Sequence, residues 1–422
     1  MTKLSTLKGV SDVLPPEIYT WNRIEETSKE VFRLFGFTEI KIPIIEHTEL
    51  FIRSIGETTD IVGKEMYTFT DKGDRSITLR PEGTASVVRS FVENNLHLLP
   101  PPQKFYYYGP MFRYERPQKG RLRQFYQIGV EAMGSSGPLM DAEVVAMAHM
   151  ILKKLNLTGL TIEINSIGCA GCRVAYRDAI VEFFSEKEML CDDCKVRIVK
   201  NPLRLLDCKV ERCVGQRAGA PVIFDFLCSD CKTHHESFKE LLSAMDIDYK
   251  ENPHIVRGLD YYNRTAFEIT AEHLGAQKAV AAGGRYDNLV ADFGGPATAA
   301  VGFAIGMERL VSLLGVTEKH PGPVFYIAPL GKEAQTRALV LCQSLRQRAT
   351  PTEMGDGALS LKSHLKKADK LHASCVAIIG DNELKTSRVL CKRLSDAFQR
   401  EILINDTEAL IAFANSDGGE RL

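Results

Sequence analysis

Ten residues, Arg123-Gln124-Phe125-Tyr126-Gln127-Ile128-Gly129-Val130-Glu131-Ala132, constrain this chain most, because their alternation suits a long β-strand. At period two, Tyr126, Ile128, Val130 and Ala132 share one face, and Phe125, Gln127, Gly129 and Glu131 the other. The first face belongs to a core. The second sets an amide and a carboxylate four residues apart with a glycine between them. It is either a solvated sheet face or a floor on which a small polar ligand settles. Lys104-Phe105-Tyr106-Tyr107-Tyr108-Gly109 reads as the partner strand, and the loop from Arg113 to Arg123 carries five Lys or Arg against one Glu. A hairpin tip has no structural need of that charge. Such cations would meet the phosphates of a nucleotide and of a nucleic-acid end.

The flanking segments predict further elements. Pro15-Pro16 opens an amphipathic helix through Ile18, Trp21, Ile24, Val31 and Phe35, closed by Gly36. Phe37 to Ile44 alternates like a strand, and Pro43 confines it to an edge or interface. Ser76 to Arg80 is a strand that runs through Pro81-Glu82-Gly83-Thr84 into a helix with Val87, Val88, Phe91 and Val92. A helix from Pro138 and a strand at Thr161 to Asn165 follow, and Ala279 to Tyr286 and Ala300 to Leu310 are small-residue strands leading into helices. Pro321-Gly322-Pro323 reads as a linker; beyond it strand and helix alternate, as in a separate α/β domain with a mixed or parallel sheet.

Val256-Arg257-Gly258-Leu259-Asp260-Tyr261-Tyr262-Asn263-Arg264 brings a cation, a tight turn and two phenols together ahead of the strand-like Thr265 to Thr270. Read as a hairpin, it lays Arg257 on a sheet surface, where a guanidinium offers a phosphate a planar fork of donors. No Gly-x-x-x-x-Gly-Lys-Ser/Thr or Gly-x-Gly-x-x-Gly loop competes for that role. A net charge of -1 excludes a uniformly basic nucleic-acid coat, so any such contact is local. No apolar run approaches the ~18 residues of a membrane span, and the first residues lack a secretory core, so a cytoplasmic location is expected.

Eight of the eleven cysteines fall between Cys169 and Cys231, as Cys169-x-x-Cys172, Cys191-x-x-Cys194, Cys208-x4-Cys213 and Cys228-x-x-Cys231. Paired spacings of this kind in a reducing compartment point to thiolate metal sites, with zinc the expected ion. Cys191, Cys194, Cys228 and Cys231 are the expected first set and Cys169, Cys172, Cys208 and Cys213 the second, with the crossed pairing open.

Gly109 to Arg121, with Arg113-Tyr114-Glu115-Arg116-Pro117-Gln118-Lys119-Gly120 at its centre, resembles motif 2 of the class II aminoacyl-tRNA synthetases. Ala299 to Leu310, with Gly306-Met307-Glu308-Arg309, resembles motif 3. Ile40 to Ile55 with Pro43 resembles motif 1, the dimer-forming segment of that class. Val256 to Asn263 and Ala282-Gly283-Gly284-Arg285-Tyr286-Asp287 are similar to the two segments specific to the histidyl-tRNA synthetase family, and the resemblance covers nearly the whole chain. It implies an α/β chain whose α+β catalytic domain, 1–322, is an antiparallel sheet with helices. A Cys-rich subdomain is inserted at 169–248, and an α/β anticodon-binding domain, with its basic helix at Leu361 to Lys370, occupies 323–422.

The implied reaction is ATP-dependent activation of histidine to histidyl-adenylate, with Mg2+ accompanying the ATP, and transfer to tRNA(His) by a homodimer. Arg113 and Arg257 match the catalytic arginines, and Arg113, Glu115 and Arg309 the ATP contacts. Glu82, Thr84, Gln127, Glu131, Arg257, Tyr261, Tyr262 and Tyr286 match the histidine pocket, and Arg116, Gln118, Arg121 and Arg123 the tRNA acceptor end. Zinc is not part of what the resemblance implies, since many members lack several of these cysteines. The alternative is the synthetase-like regulatory subunit of ATP phosphoribosyltransferase, a binding module; the intact Arg257 to Tyr262 and the full C-terminal domain weigh against it.

Overall fold

The alternation that predicts strands builds a sheet with two unlike faces. The computed structural model describes residues 4–56, 59–117, 121–187, 189–206, 208, 210–255, 257–271, 278–316 and 322–416. Two compact units divide the chain, Met1–Glu318 and Lys319–Leu422. The first holds strands β1 (Thr38–Glu39), β2 (Ile45–His47), β3 (Tyr67–Thr70), β4 (Ser76–Leu79), β5 (Gln103–Phe112), β6 (Gln124–Met133), β7 (Leu160–Ser166), β8 (Lys250–Glu251), β9 (Asn263–Ala271), β10 (Ala279–Arg285) and β11 (Ala300–Gly306). Eight of them form one sheet in the order β1-β5-β6-β11-β10-β9-β7-β8. The six central strands are antiparallel, and β1 and β8 join the edges in parallel. β2, β4 and β3 make a small separate sheet.

One face of the large sheet is the core. Ile128, Val130 and Ala132 pack with residues of helices Glu17–Leu34, Pro138–Lys154 and Ser229–Ala244, and the Trp21 ring stands edge-on to Tyr126 at 5.2 Å. The other face carries helix Thr84–Glu93 and a patch of buried tyrosines, Tyr107, Tyr261, Tyr262 and Tyr286. The expected strand at Phe37 to Ile44 is cut to the two residues of β1. Proline 43 has no N–H to give a ladder, and the buried Arg80 serves the segment instead: its guanidinium donates to the carbonyls of Ile42 and Pro43 and, at 2.9 Å, to Pro110 on β5.

A second buried arginine holds the sheet to its helices. Arg285, 0% exposed at the end of β10, donates to Asp141, Asp287 and the carbonyls of Ser135 and Gly137. Asp141 also accepts from Thr265 Oγ1 at 2.6 Å and lies 2.7 Å from His234 Nε2. Burial alone would raise the pKa of Asp141, but the His234 and Arg285 contacts outweigh it and hold the carboxyl below its usual range.

The second unit contains β12 (Phe325–Pro329), β13 (Thr352–Met354), β14 (Cys375–Ile379), β15 (Arg388–Arg393) and β16 (Gln399–Leu403) in the order β13-β12-β14-β15-β16. The first three are parallel and the last two antiparallel, a mixed sheet. Helix Leu361–Lys370 exposes Lys362, Lys366, Lys367 and Lys370 and buries His364, whose ring lies 3.1 Å from the Tyr326 hydroxyl and 2.9 Å from the Pro329 carbonyl. Of the expected linker, Pro321 lies outside the described residues, and Gly322 packs directly under the His372 carbonyl. Among the described residues no helix is long and apolar enough to cross a membrane.

Removing one partner of a fully buried ion pair strands the other charge and costs about 3–5 kcal/mol. Arg285→Leu should therefore lower the urea stability of the first unit by that order. Lys154→Ala, which deletes an exposed pair with Glu30, should cost less than about 1 kcal/mol. Equal losses in the two variants would show that the Arg285 network is not an anchor.

Candidate active site

The tyrosine-bearing face opens into a cavity of about 1070 Å³ that collects the charged residues of five segments, from Glu82 and Arg113 to Arg257 and Arg309. At one end lie carboxylates. Glu82 precedes helix Thr84–Glu93 and accepts the backbone N–H groups of Thr84 at 2.6 Å and Ala85 at 2.9 Å, which satisfies two donors left over at the start of the helix. Glu131 projects from β6 and accepts from Thr84 Oγ1 at 2.7 Å and from the Tyr286 hydroxyl, with the Tyr107 hydroxyl at 3.5 Å. Burial is the main reason its pKa rises to about 8, against the lowering effect of those hydroxyls.

Tyr107 is the residue that sequence reasoning missed. Alternation alone leaves either a solvated face or an open floor at Gly129, between Gln127 and Glu131. The cross-strand register sets Tyr107 of β5 opposite Gly129, and its ring fills that space: a Cβ on Gly129 would sit 2.2 Å from it, and one on Gly83 2.3 Å. Gly302 on β11 likewise leaves room for the Glu131 carboxylate, 2.1 Å from where a Cβ would stand. The glycines thus admit protein side chains, and the ligand space lies beside them. Gln127 borders it with a buried Oε1 that has no partner among the described residues.

The Arg257 segment departs from expectation in conformation. Residues 257–262 form bends and a turn ahead of β9, with no strand pairing, and Val256 lies outside the described residues. Arg257 still reaches over the sheet: it donates to Glu268 of β9 at 2.6 Å and lies 5.2 Å from the centre of the Tyr262 ring, while its buried Nε has no partner among the described residues. Tyr261 packs on Tyr262 at 4.6 Å and meets Tyr286 edge-on at 5.6 Å. Asn263 and Asp287 clasp each other through two hydrogen bonds of 3.0 Å and so tie this turn to the end of β10.

Arginines crowd the other end. Arg113 is held by the Pro81 carbonyl at 2.9 Å and lies over the Phe125 ring, and Arg309 donates to the Ala279 carbonyl at 2.6 Å. Burial comes first, and the like charges of Arg121 and Arg113 add to it, in lowering the pKa of Arg309, with Glu115 and Glu268 opposing. Such mutual repulsion suits a place that awaits a polyanion. Glu115 pairs with Arg121 at 3.1 Å, and beside it burial and then the charge of Glu115 raise the pKa of Glu65, a second residue not anticipated. Arg123 is stacked on Tyr114 at 3.8 Å, Arg116 is exposed, and Gln118 lies outside the described residues.

The cysteines group otherwise than the first expectation had them. Cys169, Cys172, Cys228 and Cys231 form one tetrad and Cys191, Cys194, Cys208 and Cys213 the other. The reason is topological. Cys169 follows β7 and Cys228 starts the helix that returns to the sheet, so the entry and exit of the insert meet, and the inner two pairs close on each other within the excursion.

A family model described as histidyl-tRNA synthetase matches residues 9–177 and 227–310, and one described as anticodon-binding domain matches 325–412. A histidine–tRNA ligase of Thermodesulfovibrio yellowstonii is 52% identical over 412 residues, covering 97% of this chain and 98% of its own. The solved apo histidyl-tRNA synthetase of S. aureus superposes with a TM-score of 0.82 at 35% identity, over 98% of this chain and all of that one. A Bacillus halodurans structure titled as an ATP phosphoribosyltransferase regulatory subunit/histidyl-tRNA synthetase covers 90% of this chain and 99% of its own at a TM-score of 0.65 and 20% identity, a likeness of fold alone. With both the catalytic and the anticodon-binding models matched in order along one chain, this protein belongs to the histidyl-tRNA synthetase family.

Proposed function

We propose that this chain activates histidine with ATP and transfers it to tRNA(His). The observation that carries the reading is one cavity with buried carboxylates and phenols at one end and crowded arginines at the other, a match for a small cation-bearing substrate beside a polyphosphate. Glu131, Glu82, Thr84 and Gln127 offer acceptors to the ammonium and imidazole nitrogens, and Tyr261, Tyr262 and Tyr286 pack the ring. The histidine carboxylate is already ionised. It attacks the α-phosphorus in line, a carboxylate–phosphorus bond forms, the α–β phosphoanhydride breaks and pyrophosphate leaves, so no general base is required. Arg113 and Arg257 stabilise charge at the α-phosphate and Arg309 holds the far phosphates. The terminal ribose hydroxyl of tRNA then takes the histidyl group and AMP departs.

Glu65 and Glu115 are the carboxylates at the arginine end that would hold the Mg2+ of the ATP; burial and then the charge of Glu115 raise the pKa of Glu65, against the lowering effect of Arg113 and Arg121. Mg2+ held there would neutralise phosphate charge. Zinc is the second ion of this reading; four thiolates per tetrad match its tetrahedral preference, in a folding role. Arg116, Gln118, Arg121 and Arg123 are assigned to the acceptor end and the lysines of Leu361–Lys370 to anticodon-stem phosphates. A homodimer through Ile40 to Ile55 would cover Ile44 and Ile45, now 40% and 52% exposed. A cytoplasmic location goes with this function. The regulatory-subunit reading loses support from the intact Arg257 to Tyr262 segment and from the match at 325–412.

Histidine alone among the standard amino acids should drive ATP–pyrophosphate exchange, and exchange with proline or threonine at a similar rate would overturn the assignment. Arg257→Ala should lower kcat for exchange about 10²- to 10³-fold, the usual loss for one preorganised donor. Lysine should restore only part, because it lacks the planar fork. A variant with intact kcat and a raised KM for ATP would reduce Arg257 to a binding residue.

Glu131 generates a proton-linkage prediction. With a pKa of about 8 it is largely protonated at pH 7 in the free protein, whereas a bound ammonium favours the carboxylate. Histidine binding should therefore release a proton near pH 7, and affinity should fall as pH drops below about 8. Calorimetry in two buffers of unlike ionisation enthalpy measures the release, and Glu131→Gln should abolish it. The same release in the variant would assign the proton elsewhere.

A further inference from the structure

Eight thiols stand outside the adenylation chemistry, and their geometry is that of two metal sites. In each tetrad all four sulfurs lie within 4.8 Å of one another. Cys169 and Cys172 Sγ are 3.5 Å apart and Cys191 and Cys208 Sγ 3.8 Å. A tetrahedral ion with sulfur bonds of about 2.3 Å has edges of about 3.8 Å, whereas a disulfide needs about 2.05 Å. Cys169, Cys191 and Cys228 each stand at the N-cap of a helix, with Cys172, Cys194 and Cys231 in its first turn. Backbone N–H groups also point at sulfur across each tetrad: Cys228 N–H donates to Cys172 Sγ at 3.1 Å and Cys191 N–H to Cys213 Sγ at 3.2 Å.

The inner tetrad adjoins the active site. Cys191 and Cys208 line the same cavity as Arg257 and Tyr262. Between Cys194 and Cys208 the chain makes a short excursion, and its apex touches the histidine-specific turn. Arg197 pairs with Asp60 at 3.4 Å, and Asn201 Nδ2 donates to Asp260 Oδ1 at 3.2 Å. Asp260 in turn donates its N–H to the Ile55 carbonyl and occupies the space above Gly56, where a Cβ would lie 2.4 Å from its carboxylate. Tyr261 and Tyr262 follow it directly. An ion that clamps both ends of the excursion fixes where Asn201 sits, and Asn201 braces the turn that presents the tyrosines.

We propose that each tetrad holds one structural zinc ion, and that the ion at Cys191, Cys194, Cys208 and Cys213 positions Asn201 behind Asp260 and is required for full histidine affinity. The second half rests on the histidine-binding reading above. The full-length protein, purified without chelator or immobilised metal, should contain two zinc ions per chain by elemental analysis. Cys194→Ser should retain one. Asn201→Ala should keep both ions yet raise the Kd for histidine about tenfold, the loss of one hydrogen bond of about 1.4 kcal/mol, with kcat for exchange and the KM for ATP little changed. Less than about a tenth of a zinc per chain, or iron in its place, would overturn the metal assignment. Unchanged histidine binding in Asn201→Ala with two zinc ions present would overturn the brace. A wild-type protein that binds zinc but gives no heat with histidine would refute the substrate reading instead, so the two failures are separable.

Discussion

The buried guanidinium of Arg285 is the interaction on which the catalytic unit depends. A charge removed from water is tolerated only when its donors are all met, and here each of the five N–H groups finds an acceptor: two on Asp141, one on Asp287, and the carbonyls of Ser135 and Gly137. Those partners come from two stretches of the chain, Ser135 to Asp141 and Asp287, and through Thr265 and His234 the same carboxylate reaches β9 and the helix that returns from the insert. The network therefore fixes the end of β10, and the next residue is Tyr286, whose hydroxyl meets Glu131. The fold positions the pocket through one saturated ion pair.

From that anchor the substrate end is assembled by close approach. Three glycines, Gly83, Gly129 and Gly302, remove side chains so that Tyr107 and the Glu131 carboxylate can enter the sheet face. The result is a carboxyl surrounded by hydroxyls yet deprived of water, which holds its proton to about pH 8 until a cation arrives. On the proposed assignment of the histidine pocket, discrimination follows from the same arrangement. A ligand without imidazole and ammonium donors would leave buried acceptors such as Gln127 Oε1 unmet, a larger penalty than a hydrophobic pocket imposes on a mismatched side chain.

Much of this was legible in the residue pattern, for reasons that are local. Alternation at Tyr126 to Ala132 identifies the core face because side-chain direction in a strand has a fixed period, and the helix after Glu82 is announced by Pro81-Glu82-Gly83-Thr84 ahead of its apolar spacing. What escaped depends on contacts between distant segments. Tyr107 enters the Gly129 gap only through cross-strand register, and the cysteine tetrads pair as they do because β7 and the returning helix bring Cys169 and Cys228 together. Arg257 was legible in its place over the sheet and not in its backbone: the turn at 257–262 is unpaired, yet Glu268 and Tyr262 hold the guanidinium over the sheet where a strand position would have put it.

The two ends of the cavity are unfavourable in opposite ways, and this explains why one sheet carries both. Arginines 113, 121 and 309 repel one another, and the buried Glu82 and Glu131 carboxyls resist ionisation. Glu131 is fixed by its pairing in β6, whereas Arg113 follows the end of β5, Arg309 opens the helix after β11 and Glu82 precedes helix Thr84–Glu93, so the two clusters are held at separate ends of the sheet face. On the proposed reading a polyphosphate would relieve the first and an ammonium the second, so both substrates would be bound in part by removing strain already present. A site prepared in that way spends no further reorganisation when charge gathers at the α-phosphorus, which is where preorganised dipoles and guanidiniums gain their advantage over water.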